Sequence, residues 1–171
     1  GFAALSDTAV ETPAEALARC EHLHSRIYAE PAQVVEALDV LASRCREHLH
    51  DDPAYGPPLA RSLELLAIGR RLLGGIQAGL QAAHEAEQRY LELGDEAGVS
   101  RAHMQAGNLR WSLGSFEEAL MSYQDALQIR RRLGLMDAVA ALRTVHRPAS
   151  REDVERAKHR LRFEEAFVLQ V

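Results

Sequence analysis

The residues of this chain with the clearest capacity for chemistry are two cysteines and two histidines, in two helix-spaced pairs. Cys20 and His24 are four residues apart and Cys45 and His48 are three apart, so each pair would share one face of a helix. Thiolates and imidazoles are zinc ligands. Counted from the turn near Pro31, however, the pairs lie about 8 and about 16 residues away, which separates them by ~12 Å along the helix axes. We therefore expect no metal, no other cofactor, and two buried cysteines.

The sequence lacks the common motifs of enzyme active sites. It has no G-x-x-x-x-G-K-[ST] phosphate loop, no glycine-rich dinucleotide loop, no nucleophile elbow and no H-E-x-x-H motif. Adjacent carboxylates such as Glu117 and Glu118 would diverge on a helix instead of converging on one substrate atom. These absences favour a protein that is not an enzyme.

Composition and charge indicate a helical protein without a general affinity for polyanions. Hydrophobic residues make up 47% of the 171 residues but aromatic ones only 5%, which is typical of helices packed through small and aliphatic side chains. A formal charge of −5 gives no general attraction to nucleic acid or anionic lipid. With no long uncharged apolar run and few cysteines, the sequence predicts a cytoplasmic protein that does not contact membranes.

Proline and glycine breakers divide the chain into helix-length segments. The pattern predicts an all-α fold of about eight helices, joined by short connections that favour antiparallel hairpins. The densest group of breakers lies at 51–58, which holds three prolines. We therefore predict three regions: an N-terminal hairpin over 1–56, a central region over 57–134 and a C-terminal hairpin or cap over 135–171.

The central region contains an internal repeat. Shifting the chain by 40 residues places Leu73-Gly74 on Leu113-Gly114 and Leu93-Gly94 on Leu133-Gly134. A weaker copy lies upstream, around Val34 and Leu38. The spacing predicts a two-helix unit that recurs about three times. Gly114 would end the first helix of its unit with a positive φ, and Ser115 with Glu118 would begin the second.

One unit of this repeat, at 99–132, resembles a tetratricopeptide repeat most strongly, and the resemblance extends over roughly 20–134. It rests on a set of mostly small or apolar residues: Ala106-Gly107-Asn108, Leu113-Gly114, Phe116, Glu118-Ala119-Leu120, Tyr123, Ala126-Leu127 and Ile129. Two positions depart from the pattern, His103 and Ala106, where larger hydrophobic residues are usual. The longer period is similar to that of extended repeats in bacterial regulatory proteins.

The resemblance implies a short right-handed superhelix whose first helices line a concave groove for a protein or peptide partner. Carried over by position, the groove would be formed by Arg61, Glu64, Ile68, Arg71, Arg101, Met104, Asn108 and Trp111. Exposed Arg, Asn and Trp side chains suit such an interface. The alternative is that Met104 and Trp111 are core between repeats. The basic clamp that some family members use on a C-terminal carboxylate is incomplete here, because the usual lysines are absent.

The C-terminal region 135–171 resembles the segment that links the wedge domain to the first motor domain in RecG-type DNA helicases. The resemblance rests on several short motifs: Ala141-Leu142-Arg143, Val145-His146-Arg147-Pro148, Glu155-Arg156-Ala157, Arg160-Leu161 and Phe163-Glu164-Glu165-Ala166-Phe167. It implies a nucleic-acid-associated fragment with candidate phosphate contacts at Arg143, Arg147, Arg156 and Arg160.

Two other interpretations of this region remain open. Nearby acidic residues almost cancel the arginines, so a solvated face on one more helical hairpin is favoured over a nucleic-acid site. Because two unrelated resemblances meet near Leu133-Gly134, an engineered or fused scaffold without its own activity is a further alternative. Neither interpretation names a partner, and the oligomeric state is left open.

Overall fold

The computed structural model describes residues 12–134, and its helices fill almost all of that range. The elements are α1 (Pro13–His24), α2 (Pro31–His48), a short 3-10 helix (Pro53–Tyr55), α3 (Gly56–Leu72), α4 (Ile76–Leu93), α5 (Glu96–Ser112) and α6 (Phe116–Arg132). No strand occurs within 12–134, so the predicted all-α class is confirmed. These residues form six α-helices and not about eight; the further helices predicted within 135–171 lie outside the described residues.

Polar side chains cap several helix starts. The Thr12 hydroxyl accepts a hydrogen bond from the Glu15 amide at 3.2 Å, with Pro13 in the first helical position. Asp95 accepts from the Gly98 amide at 2.8 Å and so begins α5. These bonds satisfy amide groups that have no partner inside the helix.

Glycines end three successive helices at intervals of 20 residues. Gly74, Gly94 and Gly114 have φ values of 77°, 68° and 79°, a region that side chains with a Cβ avoid. In each case the next residue donates its amide hydrogen five residues back, to Arg70, Tyr90 and Arg110 respectively, at 2.8 to 3.0 Å. The 40-residue repeat is therefore two units of one helix and one turn, and the predicted positive φ at Gly114 is confirmed.

By contacts between residues, the chain divides into two compact units, and the first of them ends at Ala126. Within it, α3 packs against α2 and α4 and also contacts α1 and α5. Because α3 has neighbours on all these sides, 12 of its 17 residues are buried. The core around it includes Leu38 and Leu41 from α2 and Leu59, Leu65 and Leu66 from α3.

The segment 51–58 forms the 3-10 helix and the first turn of α3. Asp52 accepts a hydrogen bond from the Ala54 amide at 2.9 Å, and Tyr55 stacks on His48 with ring centroids 5.0 Å apart. The helices on both sides of this segment belong to the same compact unit. The division at residue 56 into separate regions stays a prediction.

Glycines inside the helices make room for large side chains of neighbouring helices. A Cβ at Gly98 would lie 2.2 Å from the Tyr90 ring, and one at Gly107 would lie 2.4 Å from the Tyr123 ring. Similarly, Gly79 accommodates Leu109. Close packing of one helix on the next thus depends on the absence of a side chain at these positions.

We expect Gly107→Ala to lower the free energy of unfolding by about 1 to 3 kcal/mol, because the added methyl overpacks the Tyr123 contact. Urea denaturation followed by circular dichroism would measure the change. In a Tyr123→Ala background the same substitution should stabilise the protein by up to about 1 kcal/mol, since alanine is the better helix former. Equal effects in the two backgrounds would contradict this account of the glycine.

Candidate functional site

A buried carboxylate on α3 forms the centre of a polar cluster. Glu64 is only 2% exposed and accepts three hydrogen bonds. Its Oε1 accepts from Arg61 Nη1 at 2.9 Å, and its Oε2 accepts from the Tyr90 hydroxyl at 2.6 Å and from Arg101 Nε at 3.1 Å. A carboxylate this deeply buried is stable only when it is paired and hydrogen-bonded in this way.

Arg61 extends the cluster to the first helix. Its Nε donates to Glu21 Oε1 at 2.8 Å, and its Nη2 lies 3.1 Å from His24 Nδ1. Glu21 and His24 are one helical turn apart on α1, so both face the guanidinium. We call the group Glu21, His24, Arg61, Glu64, Tyr90 and Arg101 the Glu64 cluster; it joins residues of α1, α3, α4 and α5.

Arg101 forms the outer edge of the Glu64 cluster. Its guanidinium lies over the Tyr90 ring, 5.2 Å from the centroid, and its Nη2 is 3.6 Å from Asp95 Oδ2. The side chain is 33% exposed, so part of it reaches solvent while Glu64 holds its Nε. The cation and the aromatic face stabilise each other in this arrangement.

The electrostatics of the cluster keep both arginines charged. Burial pushes the pKa of Arg61 down, but the neighbouring carboxylates Glu64 and Glu21 together outweigh burial and raise it. Burial also lowers the pKa of Arg101, but the neighbouring charges, above all that of Glu64, outweigh burial and raise it. Burial and the adjacent Glu64 carboxylate also raise the pKa of Tyr90, which therefore acts as a hydrogen-bond donor.

The α1 end of the cluster is sensitive to pH. Burial, and then the adjacent Arg61 charge, lower the pKa of His24. The hydrogen bond from Arg61 lowers the pKa of Glu21, an effect that burial opposes. At neutral pH the cluster accordingly contains a neutral imidazole beside the guanidinium and an ionised carboxylate on its other side.

The eight predicted groove residues lie on α3 and α5, but in different environments. Glu64 and Ile68 are buried, so their side chains support the surface from below. Arg61 and Arg101 are held in the Glu64 cluster. None of these contacts involves a partner, so the groove as a binding surface stays a prediction.

The remaining groove positions are partly accessible. Arg71, Met104 and Asn108 are half-buried, and Asn108 Oδ1 accepts a hydrogen bond from the Tyr123 hydroxyl at 2.9 Å. Trp111 is 58% exposed and contacts Phe116 edge to face, with centroids 4.8 Å apart. Trp111 is therefore a surface residue of the described unit, and both its predicted role in the groove and the alternative of core between repeats stay predictions.

Sequence reasoning missed Glu21 and Tyr90 of the Glu64 cluster, and Asp95 beside it. Glu21 could have been found from the repeat, because it lies 40 residues before Arg61, and Arg61 lies 40 before Arg101. Tyr90 and Asp95 had no such signal, since they belong to α4 and the turn after it. Only the packing of α4 on α3 and α5 brings them to Glu64 and Arg101.

The cysteines and histidines first considered as zinc ligands have other surroundings. Both cysteines are buried free thiols, and burial raises the pKa of Cys20 to about 12 and that of Cys45 to about 11. His24 contacts Arg61, and His48 stacks on Tyr55. Between residues 12 and 134, no three His, Cys, Asp or Glu side chains are grouped so that they could hold a metal.

The candidate phosphate contacts Arg143, Arg147, Arg156 and Arg160 lie outside the described residues. Among the helices that the structure does describe, none combines the length and the apolar character needed to cross a membrane. Comparisons with protein-family models, curated proteins and solved structures find no match to this chain.

We expect Glu64→Gln to lower the free energy of unfolding by about 3 kcal/mol or more, because it leaves two half-buried arginines without their shared carboxylate. Chemical denaturation would measure the loss. The control is Glu92→Gln, which removes the exposed partner of Arg89 and should change stability by no more than about 1 kcal/mol. Similar losses in the two variants would contradict a central role for Glu64.

We also expect His24 to make stability depend on pH. Because the folded-state pKa lies below the ordinary value of 6.5, the unfolded chain binds the proton more readily. The contribution of His24 is therefore complete above that value and is lost as the pH falls through the folded-state pKa. In denaturation curves between about pH 7.5 and about pH 5, His24→Gln should weaken the decline in stability. The control is His22→Gln at an exposed position, and it should leave the slope of stability against pH as it is in the unmodified protein. A His24 variant with that same slope would contradict the assignment of the pH dependence to His24.

Proposed function

We propose that this chain is a non-catalytic helical-repeat module that binds a protein or peptide partner, in the manner of tetratricopeptide repeats. The binding face would be formed by the odd-numbered helices α1, α3 and α5. Support comes from two features of the described unit. Its turns recur every 20 residues, and its helices approach closely at small residues such as Gly98 and Gly107.

The observation that carries the proposal is the fixed position of Arg101. Glu64 holds its Nε and the guanidinium lies over the Tyr90 ring, while the side chain stays 33% exposed. A side chain that is already ordered loses little conformational entropy when it binds a ligand. Arginine is also enriched among the residues that contribute most to protein interfaces.

Neighbouring side chains on α5 extend this face. Asn108, positioned by the Tyr123 hydroxyl, can donate and accept hydrogen bonds to a peptide backbone. The exposed Trp111 offers a large apolar surface with low rotational freedom. In this proposal Arg101, Met104, Asn108 and Trp111 contact the partner, and Glu64 and Ile68 hold the surface in place.

The proposal is tested by selecting peptides from a displayed random library and measuring their Kd by fluorescence anisotropy. Because interface arginine and tryptophan side chains often contribute more than about 2 kcal/mol, Arg101→Ala and Trp111→Ala should each weaken binding by about 30-fold or more. The loss from Asn108→Ala should be smaller. The control is Gln88→Ala, an exposed position on α4.

Circular dichroism and denaturation curves must show that each variant stays folded. A library that yields no peptide with saturable binding would contradict the proposal. So would a selected peptide whose Kd is unchanged by all three substitutions on α5. The hypotheses of a nucleic-acid-associated fragment and of a fused scaffold concern 135–171 and stay predictions.

A further inference from the structure

Helix α6 has an apolar stripe that is exposed to solvent. Phe116, Leu120 and Leu127 follow one another at intervals of four and seven residues, which places them on one side of the helix. Their side chains are 54%, 57% and 38% exposed. A different side of α6 faces α5, and it includes Ser122 and Ala126, which are buried and hydrogen-bonded to α5. We call the three exposed apolar residues the α6 stripe.

Three polar residues run along one edge of the α6 stripe. Glu117, Gln124 and Arg131 are spaced seven residues apart, and all three are exposed. Seven residues make almost two full turns, so these side chains stay beside the stripe along the helix. We call them the polar edge; its charge passes from negative through neutral to positive. Neither Glu117 nor Arg131 forms an ion pair with another residue between 12 and 134.

The polar edge is complementary to a second copy of itself. When two copies of α6 run antiparallel and cross at Gln124, Glu117 of each copy lies opposite Arg131 of the other, because both are seven positions from the centre. The two Gln124 amides meet there, and each can donate and accept a hydrogen bond. The same alignment brings Leu120 of one copy level with Leu127 of the other, to within about 1.5 Å along the axis. A two-fold symmetric dimer requires such a self-complementary surface.

The charges of the polar edge do not come from the repeat. The equivalent helix of the preceding unit is α4, and α5 packs on it. The positions of α4 that correspond to the polar edge, 40 residues earlier, are Gln77, His84 and Leu91. Packing on a following helix therefore does not need two opposite charges at these positions, whereas pairing with a second copy of α6 uses both of them.

We propose that α6 is the interface of a symmetric homodimer of this chain. The two helices pack antiparallel, with the α6 stripes against each other and one Glu117–Arg131 ion pair toward each end. Burial of the exposed apolar side chains drives the association, and the charges set its antiparallel direction. Because each copy contributes one helix, the interface is small, and we expect a Kd of about 10 to 100 μM.

This surface is separate from the proposed peptide-binding face. The face uses α1, α3 and α5, whereas the dimer uses the α6 stripe and the polar edge. Phe116 stays unchanged in the tests because it contacts Trp111 of that face. The substitutions at Glu117, Leu120 and Arg131 lie outside the face, so either proposal can fail while the other holds.

Sedimentation equilibrium of the full chain, from about 1 to about 500 μM, should show the mass rising from one copy to two. Leu120→Asp places a charge in the apolar contact and should weaken the dimer by about ten-fold or more. The matched control is Met121→Asp. Met121 is the next residue and is 63% exposed, but it points to another side of α6, so this variant should keep the Kd of the unmodified chain.

Charge reversals test the pairing directly. Glu117→Arg sets two arginines opposite each other and Arg131→Glu sets two glutamates, so each should weaken the dimer by about ten-fold or more. The double variant exchanges the two charges and should regain the original Kd. An equimolar mixture of the two single variants should also regain it, because each unlike pair then has opposite charges at both ends. Circular dichroism checks that every variant is folded.

Three results would overturn the proposal. The first is a full chain that stays monomeric up to the highest concentration, as it would if another segment of the same chain occupied the stripe. The second is a dimer whose Kd Leu120→Asp leaves unchanged. The third is a double reversal and a mixture that both remain as weak as the single reversals.

Discussion

The pairing of one buried carboxylate constrains most of the described unit. Glu64 sits on the most enclosed helix, and a charge in that position must be matched by donors that its neighbours supply. One donor comes from its own helix, one from α4 and one from α5. Arg61 also contacts Glu21 and His24, so the position of α1 depends on the same group of charges. Small rotations of any of these helices would separate a charge from its partner.

The repeat explains how these groups come to meet. Glu21, Arg61 and Arg101 occupy the same position in successive units, as do His24, Glu64 and Met104. Contacts run from the second position of one unit to the first of the next, which is a separation of 37 residues for both His24 with Arg61 and Glu64 with Arg101. The packing of α1, α3 and α5 thus brings alternating acceptors and guanidiniums into one row, although the sequence varies from unit to unit.

Local physics made the helices and turns predictable. Gly94 and Gly114 each follow a helix-length segment, where the helix end favours a residue with positive φ, and glycine adopts that conformation without steric cost. The class of fold and the repeat spacing follow from that. The hydrogen bonds and ion pairs of the groove arginines could not be predicted in the same way. They depend on Tyr90 and Asp95, which belong to α4 and the turn after it.

The row of charges ends on α5, and this gives the proposed binding face a direction. At the position where earlier units have His24 and Glu64, the next unit has Met104, so no acceptor continues the row beyond Arg101. Further along α5 the accessible side chains become Asn108 and then Trp111, which meets Phe116. A partner lying along this face would therefore pass from paired charges to apolar surface. Because the charged part is already neutralised internally, most of the gain in free energy on binding should come from the apolar part, with Arg101 fixing the orientation of the partner.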